Sequence, residues 1–290
     1  MSIACARGPR AACRAVPIVL LVAVLVNGCG GTPAVTAPGR PGPAATPAAE
    51  VKPEWQAYFQ GNTGAFVLYD LNRNRYARYD PARCATRFLP ASTFKILNSL
   101  IGLETGVIPD ENYVIKWDGT HYDIAAWNQD HTLKTAIRDS AVWYYQELAR
   151  RVGSEKMQHY VDAAGYGNRD ISGPLDAFWL EGGLRISADE QVEFLKRLYR
   201  GELPFSQRSM DIVKEILVLE QSGDYRFSGK TGSVQRVTPH VGWFVGYLEA
   251  KGDVYIFALN DESANPDGFA TGEQAKKFAW SLLQSEGLVP

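Results

Sequence analysis

The sequence predicts an α+β domain in three α/β/α layers: a central antiparallel β-sheet flanked by helices, with an all-helical subdomain inserted in its middle. Three observations predict it. Strand-like apolar runs lie near both ends of the folded part, at residues 64–79 and 241–259. Between about 91 and 225 the apolar residues recur at helical spacing, and a last helical pattern follows at 271–283. Distant strands that share one sheet leave the chain between them to fold as an inserted region. With 290 residues, 46% of them hydrophobic and 21% charged, the chain can bury a large core. Its 30 Lys+Arg against 32 Asp+Glu give a formal charge of −2 without a basic block, which argues against a nucleic-acid surface.

The first fifty residues differ from the rest. Arg7, Arg10 and Arg14 precede the apolar run Pro17 to Val26, too short to span a bilayer comfortably. A charged start, a short apolar core and small residues predict a secretory signal over 1–28. Val26-Asn27-Gly28-Cys29 resembles the lipobox of bacterial lipoproteins, which makes Cys29 a candidate for lipidation. Its removal takes away three Arg and no acid, so the charge falls from −2 to −5. Cys5 and Cys13 leave with it. With Cys29 lipidated, Cys84 has no partner for a disulfide and is expected to be a buried, idle thiol. Residues 29–53, rich in Pro, Gly and Ala, predict an extended tether, with a domain over 54–290.

Within the domain, Gly64 to Tyr69, the polar turn Asp70 to Asn74, and Arg75 to Tyr79 predict a β-hairpin. Phe94, Leu97, Leu100, Ile101 and Leu103 predict a helix that Gly106 stops. Ala136 to Val152 and Asp189 to Arg200 predict two more. Val241 to Leu248 and Val254 to Leu259 predict a strand pair, and Thr271 to Leu283 a closing helix.

Chemistry gathers in a few short stretches. In Ser92-Thr93-Phe94-Lys95 a Ser and a Lys three apart on a helix share a face, about 5 to 6 Å between Cβ atoms. A Lys held in an apolar pocket can lose its charge and take the serine proton, and a helix start favours a developing oxyanion. Alone, this spacing is close to what chance supplies. Lys230-Thr231-Gly232, just before the strand pair, offers a cation and a hydroxyl on an edge strand, and a Gly that admits a ligand to the backbone. Ser140-Ala141-Val142 at a helix start, Tyr166-Gly167-Asn168, and Phe178-Trp179-Leu180-Glu181 lie between them. Taken singly, these read as a helix cap, a tight turn and a core aromatic.

The ordered set, Ser-x-x-Lys, a middle Ser, then Lys-Thr-Gly, is that of penicillin-interacting serine enzymes. With Pro90 to Ile96, Ile101 to Val107 and Gly242 to Gly246, it resembles the class D, oxacillinase-type serine β-lactamases over about residues 55–290. The resemblance implies the serine β-lactamase/transpeptidase-like fold, β-lactam substrates, and no metal or bound cofactor beyond CO2 or bicarbonate. It implies Ser92 as nucleophile and Lys95 as an N6-carboxylated general base anchored by the Trp179 indole. It further implies Ser140 as proton relay, Lys230 and Thr231 as holders of the substrate carboxylate, and Val142 and Leu180 as an apolar lid. Gly232 would line the substrate, and the backbone N–H groups of Ser92 and Ser233 would form an oxyanion hole.

The family's carboxylate-binding Arg is absent here: its place falls near Ala275, beside Lys276 and Lys277, and no Arg follows Arg236. The resemblance also implies an exported enzyme, periplasmic or lipid-anchored. Two alternatives share the motifs. A penicillin-binding protein usually carries Asn where Val142 stands. A β-lactam sensor that stays acylated is usually joined to a membrane zinc protease, whereas His121, His131, His159 and His240 have no ligand spacing.

Overall fold

The computed structural model describes residues 50–265 and 268–290. The expected signal segment 1–28, Cys29, and the tether up to residue 49 lie outside the described residues. The chain joins the sheet at β1 (Glu50–Val51), four residues before the expected domain start at 54, and a 3-10 turn follows over Pro53–Phe59. Next come β2 (Thr63–Asp70), β3 (Arg75–Tyr79) and α1 (Pro81–Ala85). The inserted region holds α2 (Lys95–Glu104), the ribbon of β4 (Val114–Ile115) with β5 (His131–Thr132), α3 (Leu133–Arg138), α4 (Val142–Val152) and α5 (Ser154–Ala164). Then follow α6 (Ala188–Arg200), α7 (Gln207–Ile216), β6 (Val218–Gln221), β7 (Tyr225–Ser233), β8 (Gly242–Ala250), β9 (Asp253–Glu262) and α8 (Gly272–Ser285).

Seven strands form one sheet in the order β1-β3-β2-β9-β8-β7-β6, antiparallel except where β1 runs parallel to β3. The hairpin turn is set by Asp70, whose Oδ1 accepts from the Asn72 and Arg73 amides at 3.1 and 2.9 Å. Side chains alternate across a strand, so a sheet covered on both sides needs apolar residues at every position. Along β8, Trp243, Val245 and Tyr247 pack into the core shared with the helical region, while Phe244 and Leu248 face the opposite core. Along β9, Ile256 and Ala258 alternate in the same way with Phe257 and Leu259. Ala275, Phe278, Ala279, Leu282 and Leu283 of α8 cover the second face. This is the predicted three-layer arrangement.

Two details differ from the sequence reading. The helix expected over 136–152 is two helices, broken at Asp139–Ala141, where Ser140 takes a left-handed φ of 53°. The Lys-Thr-Gly strand is also not the edge of the sheet. Its outer neighbour β6 pairs only with Arg226 to Ser228, so the stretch from Lys230 onward is locally an open edge. Cys84 is fully buried, and burial pushes its thiol up to about 12, as expected of an inert cysteine.

Candidate active site

The turn Ala91–Phe94 is 3-10, and the α-helix begins only at Lys95, so Ser92 stands one tight turn ahead of α2. Ala91 holds a left-handed φ of 47°, unusual for a residue with a Cβ. Its amide donates to the Trp179 carbonyl at 3.0 Å, which fastens the turn to the loop that carries Trp179. Gly232 faces this turn: a Cβ there would lie 3.1 Å from the Pro90 carbonyl oxygen and from Thr93 Cγ2. The close approach that this glycine permits is therefore between β7 and the Ser92 turn itself.

Lys95 is fully buried. Its Nζ lies 2.7 Å from Ser92 Oγ, 2.8 Å from the Ser140 carbonyl oxygen and 2.9 Å from Ser140 Oγ. The left-handed backbone at Ser140 turns both its carbonyl and its hydroxyl toward the amine. Every partner is neutral. Burial drives the Lys95 amine well below the usual lysine range, and the charge of Lys230 acts in the same direction. Phe94 stacks on Trp179 with ring centroids 5.3 Å apart and meets Phe178 edge-on at 5.1 Å, giving the pocket an apolar wall. Within that wall the Trp179 indole Nε1–H is buried and has no acceptor among the described residues. A buried donor without a partner is costly and marks a place built for an acceptor.

Lys230 is also buried, with 4% exposure, and its Nζ donates to the Thr231 carbonyl and hydroxyl oxygens at 3.1 and 3.3 Å. Burial lowers its amine to about 8, with Glu273 opposing and Lys276 assisting. A cavity of about 400 Å³ joins these groups: Ser92, Ser140, Val142, Leu180, Thr231, Gly232 and Ser233 all line it. Of the expected residues, Lys95, Trp179 and Lys230 lie behind its wall rather than on it. Tyr166-Gly167-Asn168 supports the site from outside the cavity. Asn168 donates from Nδ2 to the Gly183 carbonyl at 2.9 Å and accepts from the Arg185 amide at 2.8 Å, pinning the loop that follows Trp179.

The position expected for the missing Arg is not at this cavity. Ala275 is fully buried in the core beneath the sheet, because α8 turns that face inward. The helix reaches the cavity through Thr271, Gly272 and Glu273 instead. Sequence reasoning missed Glu273, together with Ile124, Trp127 and Arg236 on the same rim. The first three carried no motif. Arg236 had one hint, three positions past Ser233, and here it donates to Glu181 at 3.3 Å across the mouth.

Residues 60–284 match the family model described as the penicillin binding protein transpeptidase domain. The chain is 44% identical over 238 residues to beta-lactamase OXA-48 of Klebsiella pneumoniae, covering 81% of this chain and 89% of that one. It is 40% identical over 229 residues to the regulatory protein BlaR1 of Bacillus licheniformis, spanning 79% of this chain and 37% of the relative. Among solved structures, the class D beta lactamase YbXI from Nostoc superposes with a TM-score of 0.77 at 44% identity. That match covers 81% of this chain and 99% of the other.

Proposed function

The chain belongs to the class D β-lactamases, and from that membership we propose that it hydrolyses β-lactam antibiotics through an acyl-enzyme on Ser92. The observation that carries the reading is Lys95: a buried lysine whose amine has Ser92 and Ser140 as its only hydrogen-bond partners among the described residues. A neutral amine there is nucleophilic toward CO2, and the unpartnered Trp179 N–H supplies a donor for the carboxylate that results. The residues therefore fit an N6-carboxylated Lys95, and when present that carboxylate supplies a general base for acylation and deacylation.

The remaining steps belong to the chain's own residues. Ser92 Oγ gives up its proton on the Lys95 side and bonds to the lactam carbonyl carbon. As the C–N bond breaks, Ser140, within 2.9 Å of Lys95 Nζ, passes a proton to the leaving nitrogen and is reprotonated by the one that Ser92 gave up on the Lys95 side. The backbone N–H groups of Ser92 and Ser233 receive the oxyanion. Lys230 and Thr231 hold the substrate carboxylate end. Val142 and Leu180 shield Lys95 from bulk water. In the second half a water gives a proton to the Lys95 side and attacks the ester carbonyl, and Ser92 Oγ leaves and takes that proton back.

The test is turnover of a chromogenic cephalosporin by the purified protein. Catalytic hydrolysis, accelerated by added bicarbonate, is expected. A stoichiometric burst without turnover, bicarbonate present, would overturn the hydrolase in favour of an acylated sensor, and the likeness to a regulatory protein makes this the second reading. We further propose export by the 1–28 segment and anchoring through a lipid on Cys29, in the periplasm or on a membrane facing the cell wall. Replacing Cys29 with Ser should release the protein from the membrane fraction, and its retention there would overturn the anchor.

A further inference from the structure

We infer that Glu273 is a specificity-determining residue that sets its carboxylate against the ring carboxylate of a β-lactam, so that zwitterionic substrates carrying a cation beside that group are preferred over plain anionic ones. The inference rests on the hydrolase reading and names the substrate class it favours. Gly272 brings α8 onto β7: its amide donates to Ser233 Oγ at 2.9 Å, and a Cβ on it would stand 2.7 Å from Thr231 Cβ and 2.8 Å from the Gly232 amide nitrogen. No side chain fits at 272. The next residue, Glu273, therefore lines both the catalytic cavity and a smaller cavity of about 110 Å³ beside Lys230.

Charge accounting around the cavity singles out this residue. Of the two acids that line it, Asp139 is held by Arg138 at 2.8 Å, whereas Glu273 is exposed and makes no hydrogen bond or ion pair with the described residues. Of the cations, Arg236 is engaged by Glu181 at 3.3 Å. Lys230, buried behind the wall, is then the cation nearest an incoming carboxylate, with Lys276 beside it on the smaller cavity and the field of Glu273 opposing both. A cation on the substrate, next to its carboxylate, turns the same field into an attraction.

The experiment uses two cephalosporins that differ at the 3-position, one substituent neutral and one a quaternary ammonium. Assays are run at about pH 6.5, below the Lys230 titration near 8. In Glu273→Gln, KM for the neutral-substituted substrate should fall about threefold to tenfold, with little change for the zwitterion, and the effect should lie on KM rather than kcat. In the wild type, raising salt from about 0.05 to 0.5 M should lower KM for the anionic substrate, and the variant should lack this response. Equal KM values in wild type and variant, equal shifts for both substrates, or a salt-insensitive wild type would each overturn the inference. The wild-type salt series decides the matter without relying on the variant's stability. Should the wild type show no turnover, the hydrolase reading fails separately. The charge comparison is then made on the second-order rate of Ser92 acylation by the same pair, with the same outcomes for and against.

Discussion

The two ends of the cavity each bury a lysine, and they treat it differently. Lys95 opens α2, and its Nζ meets two hydroxyls and a carbonyl, at a helix start whose dipole also disfavours a cation. Lys230 lies in mid-strand, with longer contacts to Thr231 and the opposing charge of Glu273 nearby. Burial lowers both amines, but only Lys230 keeps an acid in range. The lesson is that depth alone does not assign roles. Burial lowers Lys95 with no acid to oppose it and the charge of Lys230 adding to the effect, whereas Glu273 partly offsets burial at Lys230 and leaves it a cation at neutral pH.

The sharpest way to break this comparison is to impose a permanent charge at each end. Lys95→Arg cannot shed its proton or accept CO2, so kcat/KM should fall about a thousandfold or more, close to the loss in Ser92→Ala. Lys230→Arg keeps the cation, and a loss of about thirtyfold or less is expected. Similar losses in both variants, measured with one chromogenic substrate, would erase the distinction. The next effect concerns the orphan donor. Trp179→Phe keeps an aromatic ring against Phe94 and deletes the indole N–H together with some buried ring volume. Deacylation should slow by about 10- to 100-fold, more than acylation, with partial recovery in bicarbonate. Unchanged deacylation in pre-steady-state kinetics would remove Trp179 from the carboxylate's support.

The Lys95 end was largely legible in the sequence and the Lys230 end only in part, for physical reasons. Ser92 and Lys95 are one turn apart, so local geometry alone brings them together. Ser140 reads from the sequence as standing at a helix start, as it does just before α4, but the break that separates α4 from α3 was hidden. Ala136, Ile137, Ala141, Tyr144, Tyr145 and Leu148 keep an apolar pattern running through the break, which consists of a left-handed Ser140 followed by an extended Ala141. The sheet was readable because β8 is apolar at almost every position and β9 carries an unbroken apolar run from Val254 to Leu259. The short edge strands β1 and β6 have no such pattern. At the other end, which face of α8 meets the cavity depends on how the helix seats on the sheet. A residue count back from Leu288-Val289-Pro290 pointed to Ala275, and the close fit of Gly272 against Thr231 selects Glu273 instead.

A smaller effect is the pH response of the Lys230 end. The Lys230 amine titrates near 8 in the fold against an ordinary 10.5. Below about pH 8 it is a cation and can hold the substrate carboxylate, so kcat/KM should decline above that value, by at most about tenfold per unit. Stability should move the other way. Between 8 and 10.5 the unfolded chain binds this proton and the folded chain does not, so the penalty for burying the charge is fully present below about 8 and disappears as pH rises to 10.5. Lys230→Met should therefore be more stable than wild type at neutral pH, with the gap in urea unfolding closing through that window. A gap that stays constant with pH would mean that Lys230 titrates as an ordinary lysine.

The smallest expected effect tests whether the second cation at this end assists Lys230. Arg236 and Glu181 are about half and two-fifths exposed, at 49% and 38%, and meet at 3.3 Å. Such a pair contributes at most about 1 kcal/mol to stability, so Arg236→Ala should lower Tm by no more than about 4 °C. Its larger consequence is electrostatic. Glu181 loses its counter-charge, and its carboxylate then adds to the field of Glu273 that opposes Lys230. KM for an anionic β-lactam should rise about twofold to fivefold with kcat little changed, and added salt should reverse much of the rise. A rise that salt does not touch would locate the role of Arg236 in direct contact with substrate rather than in the field at this end of the cavity.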